Sequence, residues 1–442
     1  MKRCGVLAAA VVVLGWAGGA RAQVAPPAPE ALSVGDWTIA PVAETRVLGE
    51  YRHDLDGGDH AVLLERTRLG ADASRGPVEA RVVLQDARLW DLGGGTDMIG
   101  QPSQLALTGA YEAWVGVHTD GARPSFVRVG RQPVVWGEGR LLGVADWSPT
   151  GRTLDALRGR LVTGDWAFEL LAASLSDTVP TPGELVGPSY GQLLGARVEW
   201  AFDPLFAVEA YGLARFVQDE PLTTPDLERS VLGQTYTPAL RLHGDAHAWT
   251  WGVEGAYQLG RADDLNMNRS AWAAAGHVAY TFEHVRLAPT VRLGVSYASG
   301  ADGGSTYRAF DPLLPDVHAW QGAMDLFAWS NEEEASARVA IAPWADAVAS
   351  VEYRYARLAQ PGGAWRSAYL ETIGVAPDNT QADLGHEIDA VLTWSPWEPL
   401  ELTGGYSALI LGDGARAILA AATFAPPDVA HTGYLQATVR VP

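Results

Sequence analysis

Residues 249–259 read WTWGVEGAYQL. In an extended chain Trp249, Trp251, Val253, Tyr257 and Leu259 share one face, while Glu254 and Gln258 share the other. This period-2 pattern is the signature of a strand. The stretch is also long: soluble strands run ~5–6 residues, whereas a strand that crosses a bilayer needs ~9–11. The reading is therefore a membrane-spanning strand with an apolar outer face and a polar inner one.

The same polarity recurs along the chain. Arg46, Leu48, Glu50 and Arg52 oppose Val47, Gly49 and Tyr51. Leu105, Leu107, Tyr111, Val115 and Val117 oppose Thr108, Glu112 and His118. Phe206, Val208, Ala210 and Phe216 oppose Glu209, Tyr211 and Arg215. Over 285–297, Val285, Leu287, Val291, Leu293, Val295 and Tyr297 oppose Arg286, Arg292 and Ser296. A soluble sandwich also alternates. Segment length, and Trp200, Trp249, Trp272, Phe282, Trp394 and Trp397 near segment ends, point instead to a barrel with interfacial aromatic girdles.

Connection lengths alternate too. Short ones fall at 70–76, 120–124, 164–165, 202–204, 244–247, 283–284, 343–346 and 395–397. Long ones fall at 53–58, 89–103, 135–152, 176–191, 217–236, 260–269, 298–334, 357–384 and 411–431. Eight turns and nine loops join 18 strands. The fold class is an all-β, transmembrane, antiparallel up-and-down barrel of about 18 strands, with short periplasmic turns and long extracellular loops. A barrel of this size has room for an aqueous channel.

Composition narrows the function. The 442 residues carry a net charge of −20 and one cysteine. Clustered positive charge for nucleic acid is missing. Lys2 and Arg3, an apolar run from Val6 to Trp16 and Ala20-Arg21-Ala22 describe an export signal over 1–22. A linker follows over 23–42, then a barrel over 43–442. Removal of 1–22 takes Lys2, Arg3, Arg21 and Cys4 but no acid, so −20 becomes −23, with no lysine or cysteine left. Thiol, Schiff-base and P-loop lysine chemistry are excluded from the mature chain. Asp263-Asp264 and Glu332-Glu333-Glu334 lack a calcium-loop pattern, and His318 and His386 lack metal-ligand spacing. No metal, cofactor or catalytic residue is expected.

Three blocks carry a family likeness. Residues 127–158 contain Gly130, Arg131, Gln132, Trp136, Gly137, Glu138, Arg140, Leu141, Asp146, Trp147, Gly151, Arg152 and Asp155. Residues 310–315 read FDPLLP and are followed by His318, Gly322, Asp325 and Asn331; a third block holds Gly385, His386, Glu387, Asp389, Gly405, Tyr406, Ser407 and Gly412. In this order they resemble the alginate-export family of outer-membrane porins. The resemblance implies an 18-stranded, arginine-lined barrel in a Gram-negative outer membrane that passes an anionic polysaccharide outward. The chain departs from it at Val441-Pro442, where barrels of this kind commonly end on an aromatic residue.

Alternation puts Arg46, Arg52, Arg66, Arg68, Arg81, Arg197, Arg215, Arg241, Arg286, Arg292, Arg338, Arg354 and Arg440 on inward faces. Glu50, Glu79, Glu112, Glu169, Glu199, Glu209, Glu254, Glu352, Glu387 and Asp389 face them. These arginines are the candidate pore lining, joined by Arg131, Arg140, Arg152 and Asp155 if their loop folds inward. Guanidinium forks hold carboxylates bidentately; the alternative is that they pair with Asp146 or Asp155 and only lock the loop. Phe310, Asp311, Asp325 and Asn331 are candidate gate residues in the longest loop, or parts of a static one. The nine loops hold −17 of the −23, and 298–334 alone holds −6, which reads as an acidic external rim.

The expected function is a passive channel for an anionic polysaccharide or small anionic solute. The expected partners are outer-membrane lipid, that solute and periplasmic export components, with the barrel a monomer. One alternative is an uptake porin for small sugars or anions. Another is a barrel whose surface loops act as an enzyme or adhesin.

Overall fold

The computed structural model describes residues 31–93, 107–175, 190–218, 232–262, 267–422 and 424–441. The export signal with Cys4, the first part of the linker, Leu105, Asp263-Asp264, Pro442 and parts of five long connections lie outside them.

Eighteen strands form the wall. They begin with β1 (Trp37–His53), β2 (Asp59–Arg75), β3 (Val78–Gly93), β4 (Leu107–His118), β5 (Phe126–Gln132) and β6 (Leu154–Thr163). They continue with β7 (Trp166–Leu175), β8 (Tyr190–Asp203), β9 (Phe206–Gln218), β10 (Leu232–Ala246), β11 (Trp249–Arg261) and β12 (Asn268–Thr281). They end with β13 (Thr290–Ala298), β14 (Glu332–Ile341), β15 (Ala347–Leu358), β16 (Asp383–Trp397), β17 (Leu400–Leu411) and β18 (Val429–Val441). Every neighbour is antiparallel, and β18 closes on β1 from Ala43↔Val441 to His53↔His431. Closure pairs the backbone groups of both edge strands, which lipid would otherwise leave unsatisfied. Eight short connections fall near the expected places, but β2 runs on to Arg75, β10 to Ala246 and β16 to Trp397, so those turns are tighter than 70–76, 244–247 and 395–397 implied. One helix is described, α1 (Asp413–Ala421), which buries Ala415, Ile418 and Leu419 at the rim.

Leu170, Leu194, Leu240, Val253, Leu293 and Leu435 are exposed on the outer face. A periplasmic girdle includes Trp166 stacked on Trp200, with centroids 5.3 Å apart, and Trp249 against Tyr280 at 4.7 Å. Trp272 belongs to the opposite rim, where it stacks on Tyr297 at 4.3 Å.

Three local expectations are corrected. Tyr111 points inward beside Glu112, because the register to β3 slips after Val83↔Glu112 and leaves Tyr111 as the extra residue of a bulge; a bulge re-aims a side chain in this way. β13 starts at Thr290, since Leu287 and Ala288 have φ of 71° and 41° and Pro289 has no N–H for a ladder. Arg286 is therefore exposed in a periplasmic turn, not in the pore lining. Finally, 298–334 is not an external rim. Asp311, Asp316 and Asp325 lie in a segment folded into the barrel, and Glu332 and Glu334 face inward on β14.

Candidate functional site

Two connections enter the lumen from the long-loop end: 133–153, after β5, and 299–331, after β13. They pair with each other. Gly143 N–H donates to Leu314 O at 2.8 Å, Leu314 N–H to Leu141 O at 3.1 Å and Asp316 N–H to Gly139 O at 2.7 Å. Glycine permits this approach: a Cβ on Gly143 would lie 2.7 Å from the Asp316 backbone nitrogen. Arg152 adds a clamp, donating to Gly143 O, Leu314 O and Pro315 O at 2.7–3.1 Å.

Apolar packing holds the pair against the wall. Trp136, Leu141, Leu142, Phe310, Leu313 and Trp329 fill the barrel against Ala239, Ala256, Ala271, Ala273 and Ala275. Small inward residues make the room. This half of the interior is therefore a packed core rather than the polar lumen that the fold class implied.

Charged wall residues reach the same two loops. Arg46 donates to Asp146 O, Trp147 O and Ser148 O at 2.7, 2.9 and 3.1 Å. Arg66 and Arg68 reach the Asp146 carboxylate at 3.0 and 2.9 Å. Burial alone would raise the pKa of Asp146, but Arg66, Arg68 and Arg46 outweigh it and hold the group at about 2. Arg52 donates to Met324 O at 3.1 Å. Arg354 donates to Trp320 O at 2.9 Å and pairs with Glu334. Arg215 pairs with Asp311, whose carboxyl stays low despite burial because Arg215 and Arg269 lie beside it. Glu209 accepts from Gly137 N–H at 2.8 Å, and Glu387 accepts from Met324 N–H at 3.1 Å.

Arg140 lies over Trp320 at 4.1 Å, and Arg292 lies over the same ring at 4.7 Å. Burial lowers the pKa of Arg152 to about 10 and raises that of Asp316 to about 6. The candidate gate residues are packed in. Phe310 sits edge-on to Trp329 at 5.3 Å, Asp325 contacts His318 at 3.2 Å, and Asn331 bonds Gln360 N–H and O.

Two further candidates leave the lumen. Arg131 and Asp155 face each other on β5 and β6 in a bidentate pair of 2.9 and 2.7 Å. Both lie on the outer face, in phase with exposed Val127, Val129, Leu157 and Leu161. Gly130 preserves the alternation that the sequence seemed to break, so Arg131 points to lipid and not to the pore. Tyr353 bonds His386 at 2.8 Å on the same outer surface.

The water-accessible part of the wall lies nearer the periplasm. Its residues include Arg81, Arg128, Arg158, Arg160, Arg197, Arg241 and Arg440. Alternation also marks Arg128, between Val127 and Val129, and Arg158 and Arg160, against Leu157 and Leu161. The inward set above omitted all three. At two of its acids, arginines cover the carboxylate. Glu169 is 2% exposed beneath Arg158, Arg160 and Arg197, at 13%, 19% and 14%. Glu209 is 2% exposed beneath Arg241 at 17%. The longer side chain keeps its charge toward water, so at these two acids the wall presents guanidinium to the lumen, whereas Glu199, 20% exposed, stands level with Arg160 and Arg197.

Solved structures of other bacterial proteins are similar in shape. OccK2 (OpdF) of Pseudomonas aeruginosa aligns at TM-score 0.57 and 12% identity, over 91% of this chain and 98% of that one. OccAB2 of Acinetobacter baumannii aligns at 0.57 and 13%, over 91% and 97%. OccK11 (OpdR) of P. aeruginosa aligns at 0.55 and 11%, over 91% and 96%. Identity this low speaks to the fold alone. No curated protein matches the sequence. The alginate export family profile matches residues 44–423, most of the barrel. The chain is an outer-membrane β-barrel channel and belongs to the alginate export family.

Proposed function

We propose that this barrel is a passive, anion-selective channel for an acidic saccharide or its fragments. It acts without catalysis, as a monomer, after removal of residues 1–22. The observation that carries this reading is the layering of the wall at two acids: the Glu169 and Glu209 carboxylates lie beneath Arg158, Arg160, Arg197 and Arg241. An anion moving along the wall meets fork-shaped donors that replace part of its hydration shell. Several weak, similar sites suit passage better than one tight site, because binding must permit both arrival and departure. Family membership supports an acidic polymer as cargo, moved outward.

A second reading, uptake of single small anions, is favoured by the two loops that fill the outer half of the interior. The OccK2 structure named above has also been solved in complex with glucuronate, and OpdK of P. aeruginosa with vanillate. Swelling of proteoliposomes separates charge from size. Glucuronate should enter faster than glucose of similar size. Equal rates, or faster glucose, would remove the anion preference. Oligouronates that block glucuronate entry without crossing would favour the second reading over polymer export.

A further inference from the structure

Arg128 and Arg158 stand directly opposite each other on β5 and β6, and both face the lumen near its periplasmic end. Like charges in cross-strand register destabilise a sheet unless something compensates them. Each is compensated through Nε alone. Arg128 Nε–H donates to Glu79 at 2.8 Å, and Arg158 Nε–H donates to Glu169 at 2.6 Å. Among the described residues, the terminal nitrogens of both donate to no side chain or carbonyl. Aromatic rings fix the guanidinium planes. Arg128 lies 4.4 Å from the centroid of Trp114 and 4.6 Å from that of Phe126, and Arg158 lies 5.2 Å from Phe126. A guanidinium has five N–H donors in a rigid fork, so each keeps a free pair suited to a carboxylate.

We infer that Arg128 and Arg158 form a carboxylate-binding site at the periplasmic end of the channel, held in shape by Phe126 and Trp114. A bound carboxylate relieves the repulsion between the two cations and adds charge-assisted hydrogen bonds. The rings supply rigidity, so little side-chain freedom is lost on binding. The site catches acidic solutes on the periplasmic side, before they reach the infolded loops. This inference rests on the anion-channel reading and deepens it.

Single-channel current in a planar bilayer tests it, with glucuronate, acetate or glucose added on the periplasmic side. Glucuronate and acetate should interrupt the wild-type current, and glucose should not. Acetate separates binding of any carboxylate from binding of an acid sugar; interruption by glucuronate alone would overturn the general carboxylate site. R128Q and R158Q should each raise the half-blocking concentration at least about tenfold, the loss expected for a charge-assisted hydrogen-bond pair. R158K keeps the charge but loses the fork, so its half-blocking concentration should rise as far as that of R158Q. Unchanged block in R128Q and R158Q, or full block in R158K, overturns the site. A chloride-selective wild type that no carboxylate blocks also overturns the site but leaves the channel reading intact. A cation-selective wild type overturns both.

Discussion

Trp147 and His318, one from each infolded loop, stack with ring centroids 3.7 Å apart and planes 5° from parallel. Tyr434 of β18 meets the Trp147 ring edge-on at 5.1 Å. The stack ties both loops to the wall at the level where Arg46 holds the Trp147 carbonyl. W147A should weaken that tie by about 0.5–1.5 kcal/mol for the aromatic pair alone. The expected result is a noisier, larger single-channel conductance, with barrel content by circular dichroism unchanged. Conductance identical to wild type would show that the stack does not control the passage.

Gly143 tests the contact between the loops. An alanine there places its Cβ within 2.7 Å of Asp316 atoms, backbone included. Overpacking of this kind costs about 1–3 kcal/mol. G143A should lower the unfolding midpoint in detergent and raise conductance together, while alanine at Gly164, whose Cβ would meet nothing within 4 Å, should leave conductance alone. Its φ of +56° makes some loss of stability expected there as well.

Asp316 makes the loop contact pH-sensitive. Burial outweighs the pull of Arg152 and raises its pKa to about 6, against ~3.9 in the unfolded chain. A raised folded pKa means that this contribution to stability is fully present below pH ~4 and is lost as pH rises through about 6. Current noise should therefore grow between pH 4 and 7 in the wild type and stay flat in D316N. Asp146 runs the other way: with a folded pKa of about 2, its contribution is present above pH ~4 and disappears only as pH falls toward 2.

Arg131 and Asp155 are predicted to matter for stability and not for transport. Their pair faces lipid near the long-loop end, where an unpaired charge costs up to ~1 kcal/mol, against ~2–4 kcal/mol for Arg at mid-bilayer. R131A should lower the urea midpoint in lipid vesicles more than the double variant R131A/D155A does. Ion selectivity should not move in either; a shift would return the pair to the pore lining.

The wall was legible because two signals agree along its length. Period-2 alternation sets each face, and turn residues recur on every second connection. The infolded loops were not legible as such, because folding inward depends on space left by the far wall. The alanines at 239, 256, 271, 273 and 275 are that space, and inward alanines read simply as small residues until the loop that fills them is seen. Arg46, Arg52, Arg66 and Arg354 point inward, yet they hold loop carbonyls rather than face water. Alternation gives a side and says nothing about what covers it. Arg131 lay next to Gly130, where φ is +119° and the backbone direction cannot be read from residue type. Tyr111 was lost to a bulge, which changes the phase by one residue without changing the composition.

Around Glu169 and Glu209, guanidinium groups and not the carboxylates beneath them face the permeating ion. The reversal potential under a tenfold KCl gradient across a planar bilayer tests it most directly, for the wild type and for the triple variant R160Q/R197Q/R241Q. The wild type should show a reversal potential on the chloride side that grows at lower ionic strength, where screening weakens. In the triple variant it should move toward potassium as Glu169 and Glu209 are uncovered. A potassium-selective wild type, or a triple variant with unchanged reversal potential, would contradict it.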